Sequence, residues 1–152
     1  MSMPLLNLDT LKHYLSAREI QLRVVQGEQG EPFLQMGWQF PVGEAGVFIC
    51  LSTGDTGDLR LEIACVSRGS YLERWHEVLD YLNERNRSHP FSRSLDEDGN
   101  FWLEYVGFYP AGTLFPEATF NTLFGGVLIH FEEEYAALEG RSGASQGGHL
   151  LQ

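Results

Sequence analysis

The side chains best spaced for chemistry are Glu73 and His76, in the run Glu73-Arg74-Trp75-His76. A Glu and a His three residues apart share one face of a helix, the arrangement by which carboxylate-bridged di-iron bundles hold metal. Such a site also needs a second Glu-x-x-His and two more Glu from other helices, and this chain carries a single copy. His130-Phe131-Glu132-Glu133 pairs the same residue types in reversed order. Both runs read as solvated helix faces, and neither a metal nor a cofactor is expected. Asp96-Glu97-Asp98-Gly99-Asn100 has the composition of a calcium loop. Its Gly stands fourth instead of sixth, and Gly107 occupies the place of the bidentate Glu, so a hairpin turn explains these residues better. Cys65-Val-Ser-Arg-Gly-Ser70 joins a strand to a helix, but it has one Gly and no Lys and is too short for a phosphate-binding loop. A catalytic Cys needs a positioned His. His76 lies two turns along the helix, and Cys65 reads as a core residue. No catalytic residue is assigned.

Periodicity supplies the frame for these residues. Leu8, Leu11 and Leu15 fall at helical spacing over residues 8–18, with Asn7 or Asp9 as cap. Residues 20–26 alternate with Ile20, Leu22 and Val24 inward, and residues 33–40 alternate with Leu34, Met36, Trp38 and Phe40 on one face. Residues 46–52 are apolar on both faces, as in a central strand. Leu59, Leu61, Ile63 and Cys65 alternate in the next. Ser70 and Glu73 fit a capping box for a helix whose apolar side is Leu72, Trp75, Leu79 and Leu82, ending before Pro90. Residues 91–96 and 100–108 form a hairpin through Asp98-Gly99. Pro116 suits the first turn of a last helix with the stripe Phe120, Leu123, Phe124, Val127, Leu128, Phe131, Tyr135 and Leu138. Gly125-Gly126 interrupts that stripe, and close packing on another backbone would explain it. Runs of adjacent strands imply an α+β fold, an antiparallel sheet with three helices in the order α-β(3-4)-α-β-β-α. One domain over residues 1–139 and a Gly/Ser-rich flexible tail over 140–152 are expected.

On this alternation Cys50 and Cys65 face opposite sides of the sheet, which forbids a disulfide between them. The same alternation puts Phe101, Leu103 and Tyr105 on one face of the last strand, and Trp102, Val106 and Phe108 on the other, with Phe48 and Cys50. A sheet apolar on both sides must be covered on both. The chain's own helices are the first expectation for that cover, and a dimer mate or bound peptide the second. Phe48, Trp102, Val106 and Phe108 are the candidate interaction surface.

The formal net charge is −11, with 21 Asp and Glu against 10 Lys and Arg. Phosphate contacts need clustered Lys and Arg, and the densest set here is Arg85, Arg87 and Arg93, so nucleic acid and anionic membranes are excluded as expected partners. No run approaches the length of a membrane-spanning helix, and the N-terminus lacks the basic start and apolar stretch of a signal peptide, which points to the cytoplasm.

Leu79-Asp-Tyr-Leu-Asn-Glu-Arg-Asn86, then Phe91-Ser-Arg-Ser-Leu-Asp-Glu-Asp-Gly-Asn-Phe-Trp-Leu-Glu-Tyr105, then the long helix ending Phe131-Glu-Glu-Glu-Tyr135, resembles the YbjN family of bacterial proteins. The likeness covers residues 70–138; the first half agrees in its order of elements. It implies a fold like that of type III secretion chaperones, commonly dimeric, and a role as a sensory-transduction or stress-response regulator without an enzymatic activity. It supplies no catalytic residues, and Asn83 and Asn86 read as ties to the backbone at the helix end. The expectation is a non-enzymatic, homodimeric, protein-binding domain, chaperone-like or adaptor-like in action. The alternative is a small-molecule sensor or cryptic enzyme with a pocket between sheet and helices, lined by Trp75 and Trp102.

Overall fold

The computed structural model describes residues 4–146. Helix α1 (Leu8–Ala17) leads into strands β1 (Arg23–Gln26), β2 (Pro32–Phe40), β3 (Gly43–Thr53) and β4 (Leu59–Ser70). A 3-10 turn (Leu72–Arg74) runs into α2 (Trp75–Asn86), followed by β5 (Ser92–Leu95), β6 (Asn100–Tyr109) and α3 (Glu117–Gln146). The strands form one antiparallel sheet in the order β1-β2-β3-β4-β6-β5, so the fold is α+β with three helices. Asn7 caps α1 by accepting from the Thr10 amide at 2.8 Å.

One face of the sheet carries Leu34, Met36, Phe40, Val47, Ile49, Leu61, Ile63, Cys65, Phe101 and Leu103, all buried. All three helices bury their apolar sides in this cluster. Tyr14 of α1 donates to the Phe115 carbonyl at 2.6 Å and ties α1 to the segment that leads into α3. The stripe on α3 is buried over Phe120, Phe124, Val127, Leu128, Phe131, Tyr135 and Leu138, with Leu123 half-buried. Helix α3 continues to Gln146, so the segment expected to be a flexible tail begins inside the helix; residues 147–152 lie outside the described ones.

Three local expectations are corrected. Ser70 and Glu73 form no capping box. Ser70 ends β4 and donates its hydroxyl to the Asp98 carbonyl, while the helical turn starts from Tyr71 without a side-chain cap. Because that first turn is 3-10, the phase of α2 is set from Trp75. Val78 and Leu82 take the buried positions, and Leu72 is 53% exposed. In β1, Val24 is exposed, as befits the short edge strand of the sheet.

A fourth correction concerns Gly125-Gly126. A Cβ on Gly125 would meet nothing within 4 Å, and one on Gly126 would rest on the Phe91 ring at 3.9 Å. No close backbone approach requires either glycine. Gly125→Ala is therefore expected to stabilise the protein by about 0.5–1 kcal/mol, because it lowers the entropy of the unfolded chain at no steric cost. Chemical denaturation checks this, and a loss of stability would reveal a contact at that position.

The hairpin turn does need its glycine. Gly99 has φ 82°, and a Cβ there would meet the Leu72 amide nitrogen and the Ser70 hydroxyl at 2.7 Å. Asp96 holds the turn: one carboxylate oxygen accepts from the amides of Asp98 at 3.0 Å and Asn100 at 2.9 Å, the other from the Trp102 indole at 2.7 Å. These bonds outweigh partial burial and hold its pKa below the usual range.

Glu134 is a buried charge on α3, wholly inaccessible to solvent. It accepts from the Tyr81 hydroxyl at 2.8 Å and from Nε of Arg85 at 2.8 Å, and it pairs with buried Arg93 of β5. Burial alone would raise the Glu134 pKa; the bonds from Arg85, Tyr81 and Arg93 reverse that and hold it low. Arg93 also donates to the carbonyls of Pro90 at 2.8 Å and Phe91 at 3.1 Å. Phe91 sits at φ 71°, a strained left-handed conformation for an aromatic residue, and these bonds help to hold it. Asn86 exchanges two 2.8 Å hydrogen bonds with the backbone of Arg93, the tie expected of it.

Candidate interaction surface

The opposite face of the sheet carries no helix among the described residues. The expectation that the chain's own helices cover it is corrected: all three lie on the other side, because the buried stripes of α1, α2 and α3 join one core cluster. The strand register defines what this face presents. Phe33, Cys50, Glu62 and Val106 lie in one row across β2, β3, β4 and β6. Gln35, Phe48, Ala64, Glu104 and Ser92 form the next, and Gly37, Gly46, Val66, Trp102 and Ser94 the third. Arg60 stands opposite Phe108 beyond the first row.

Phe48, Trp102, Val106 and Phe108 all stand on this uncovered face. Phe48 and Trp102 stack at 5.9 Å between centroids, across β4, because Ala64 beneath them is small. Ala64 is only 2% exposed, sealed by those two rings. Phe33 adds a third ring, 6.0 Å from Phe48. Alternation placed Phe33 on the polar side of β2, and the sequence signal was the aromatic neighbour it finds in β3. Phe108 is 70% and Val106 40% exposed. A shallow hollow of about 310 Å3 lies among Phe33, Phe48, Cys50, Glu62, Ala64 and Trp102.

Two carboxyls lie within this apolar surface. Glu62 of β4 and Glu104 of β6 share a hydrogen bond, and Arg60 donates to Glu62 at 3.0 Å. The hydrogen bond to Glu62, then partial burial, push the Glu104 pKa up to about 7. Burial also acts to raise Glu62, but the hydrogen bonds from Glu104 and Arg60 outweigh it and leave Glu62 low. Glu104 is therefore the member of the pair that takes up a proton first as pH falls.

The remaining sequence candidates scatter. Cys50 is half-buried on the uncovered face and Cys65 buried on the other, both as free thiols. Burial raises the pKa of each, with Glu62 adding to the effect on Cys50, so neither is an activated nucleophile. Glu73 and His76 are exposed near the start of α2, and among the described residues no group of three His, Cys, Asp or Glu side chains is placed to hold a metal. His130 packs its ring edge-on to Phe91 at 5.2 Å. Trp102, weighed as part of a pocket against α3, stands on the opposite face beside Phe48, and Phe40, Phe101, Phe124 and Phe131 are buried in the layer between sheet and helices. No helix is long and apolar enough to cross a membrane among the described residues.

No protein-family profile matches the chain, and no curated protein matches it.

Proposed function

We propose that this chain is a non-enzymatic, protein-binding domain, chaperone-like or adaptor-like, that works through the uncovered face of its sheet. One observation carries the reading. A contiguous set of three rings, Phe33, Phe48 and Trp102, stands on a face that no described helix covers, and Phe108 is exposed farther along β6 on the same face. Apolar patches of this kind on otherwise charged chains mark interaction sites. The YbjN-like run of helix, Asp-Gly hairpin and closing helix supports the same reading, since that family is regarded as regulatory and dimeric. A small-molecule sensor would place an apolar ligand in the hollow over Cys50 and Ala64.

The proposed domain is a homodimer held by apolar contact. Two subunits of net charge −11 repel each other, and salt screens that repulsion within about 10 Å at 0.1 M. Dimerisation is therefore expected to strengthen as salt rises, read by light scattering across a salt series. Phe108→Glu, at a position too exposed to disturb the fold, is expected to yield a monomer. Dimers that dissociate as salt rises would show that ion pairs hold them instead.

A further inference from the structure

The uncovered face combines two features that oppose each other. Its rings favour being covered, yet Glu62 and Glu104 stand among them. Burying an ionised carboxylate against an apolar surface is costly unless it is neutralised or paired. Arg60 supplies one positive charge, enough for Glu62. Glu104 feels Arg60 more weakly, and the hydrogen bond to Glu62 and partial burial outweigh it, so Glu104 is the carboxyl left to be neutralised by a proton. Other groups near the pair give no second cation. Cys50 on β3 carries a thiol, Trp102 and Val106 on β6 are apolar, and Ser92 on β5 is neutral. Glu31 before β2 and Asp96, bound to the Trp102 indole, add negative charge. Arg23, on β1, is engaged with Gln35 at 2.8 Å, four strands away from Glu104.

The dimensions of the face favour a broad occupant. Over the rows from Arg60 to Val66, β3, β4 and β6 run the full length, β2 nearly so, and the short edge strands β1 and β5 part of it, so at about 4.8 Å between strands and about 3.3 Å per residue the face covers roughly 540 Å2 before side-chain relief is counted. A standard interface removes about 800 Å2 from each partner, and two sheets stack face to face at about 10 Å. One extended peptide covers a single strip of such a surface. A second copy of this chain brings a sheet face of the same breadth and the same rings. When Glu104 is protonated, Arg60, Glu62 and Glu104 sum to zero on each copy, and the charges left towards the β1 side of the face, Arg23 and Arg68, are positive.

We propose that two copies close sheet on sheet over this face, and that the Glu62–Glu104 pair gates the closure, permitting it when Glu104 is protonated and opposing it when both carboxylates are charged. This rests on the reading of the uncovered face as the interface. The raised pKa of Glu104, about 7, places the transition near neutrality. Covering the face raises it further, so association takes up protons, and the dimer weakens as pH rises.

Sedimentation equilibrium on the full chain tests the gate, from about pH 5.5 to about pH 8.5, in enough salt to screen the general repulsion between copies. The dimer dissociation constant is expected to rise at least about tenfold between pH 6 and pH 8. Glu104→Gln mimics the protonated carboxyl and keeps a donor towards Glu62. It is expected to remain dimeric and nearly indifferent to pH over the same range. Glu62→Gln, which removes the charged half of the pair, is expected to flatten the dependence as well. A wild-type dimer with no pH dependence, or a Glu104→Gln variant with the wild-type dependence, overturns the gate. In either case dissociation by Phe108→Glu still upholds the interface. A wild-type chain that is monomeric at every pH overturns both.

Discussion

Glu134→Ala is expected to cost about 3–5 kcal/mol, a large part of a typical domain stability of about 5–15 kcal/mol. The substitution leaves Arg93 charged and buried with no anion, and it removes the acceptor used by Tyr81 and Arg85. Arg93 is already incompletely satisfied, since one of its terminal nitrogens has no partner. The loss reflects the stranded charge more than the worth of the pair. Replacing both partners with apolar residues of similar volume, as in Arg93→Met with Glu134→Leu, is therefore expected to recover much of it. Chemical denaturation of the two single variants and the double variant measures the coupling. A loss below about 1 kcal/mol in Glu134→Ala would mean that Arg93 finds solvent by an easy movement. The same carboxylate gives a pH dependence. Its pKa is held below the unfolded value of about 4.3, so its stabilisation is complete above that value and is lost as pH falls through the lower, folded one. Glu104 acts in the opposite sense. Its folded pKa is raised, so its contribution is full below the unfolded value and is lost as pH rises through about 7.

Glu134 also shows what the sequence holds and what it conceals. The strands were readable because alternation is a local property: Leu34 to Phe40 and Leu59 to Cys65 face the core as their spacing requires. His130, Glu132 and Glu133 read as a solvated helix face, and Glu134 beside them was not singled out. Yet Glu134 follows Phe131 by three residues and Val127 by seven, so it lies on the apolar stripe. That spacing was the available signal. Its partners were not readable, because Arg93 and Arg85 reach it only through the packing of β5 and α2. Ser70 was misread for a related reason. A Ser three residues before a Glu satisfies the capping pattern, but here the hydroxyl donates to the Asp98 carbonyl of the hairpin turn and accepts from the Leu72 amide instead of that of Glu73. At the candidate surface, alternation alone put Phe48, Trp102, Val106 and Phe108 on one face. Which face the helices would take is decided by packing across the whole chain. The Glu62–Glu104 contact depends on β4 pairing with β6, two strands separated in sequence by α2 and β5.

Phe131→Ala is expected to be as damaging as the loss of Glu134, by a different mechanism. Phe131 is fully buried on α3 and stacks on Phe101 of β6 at 5.1 Å with the rings 5° from parallel. It also packs on Phe40 of β2 at 5.2 Å, so one ring joins the helix to strands on both sides of the sheet centre. Truncation removes the transfer energy of the ring and leaves a cavity bounded by two rigid aromatics that cannot collapse into it. The expected cost is about 3–5 kcal/mol, or a fall of about 10–15 °C in melting temperature for a chain of this size. Phe131→Leu fills more of the space and should cost about half as much or less. Phe48→Ala makes the informative comparison, since Phe48 has its own ring stack but on the uncovered face. A half-exposed ring leaves no closed cavity, so its removal should cost the monomer about 1 kcal/mol and act mainly on association. If Phe48→Ala and Phe131→Ala unfold the chain alike while leaving the association of the folded protein unchanged, the two faces of the sheet serve the same structural role and the interface reading falls.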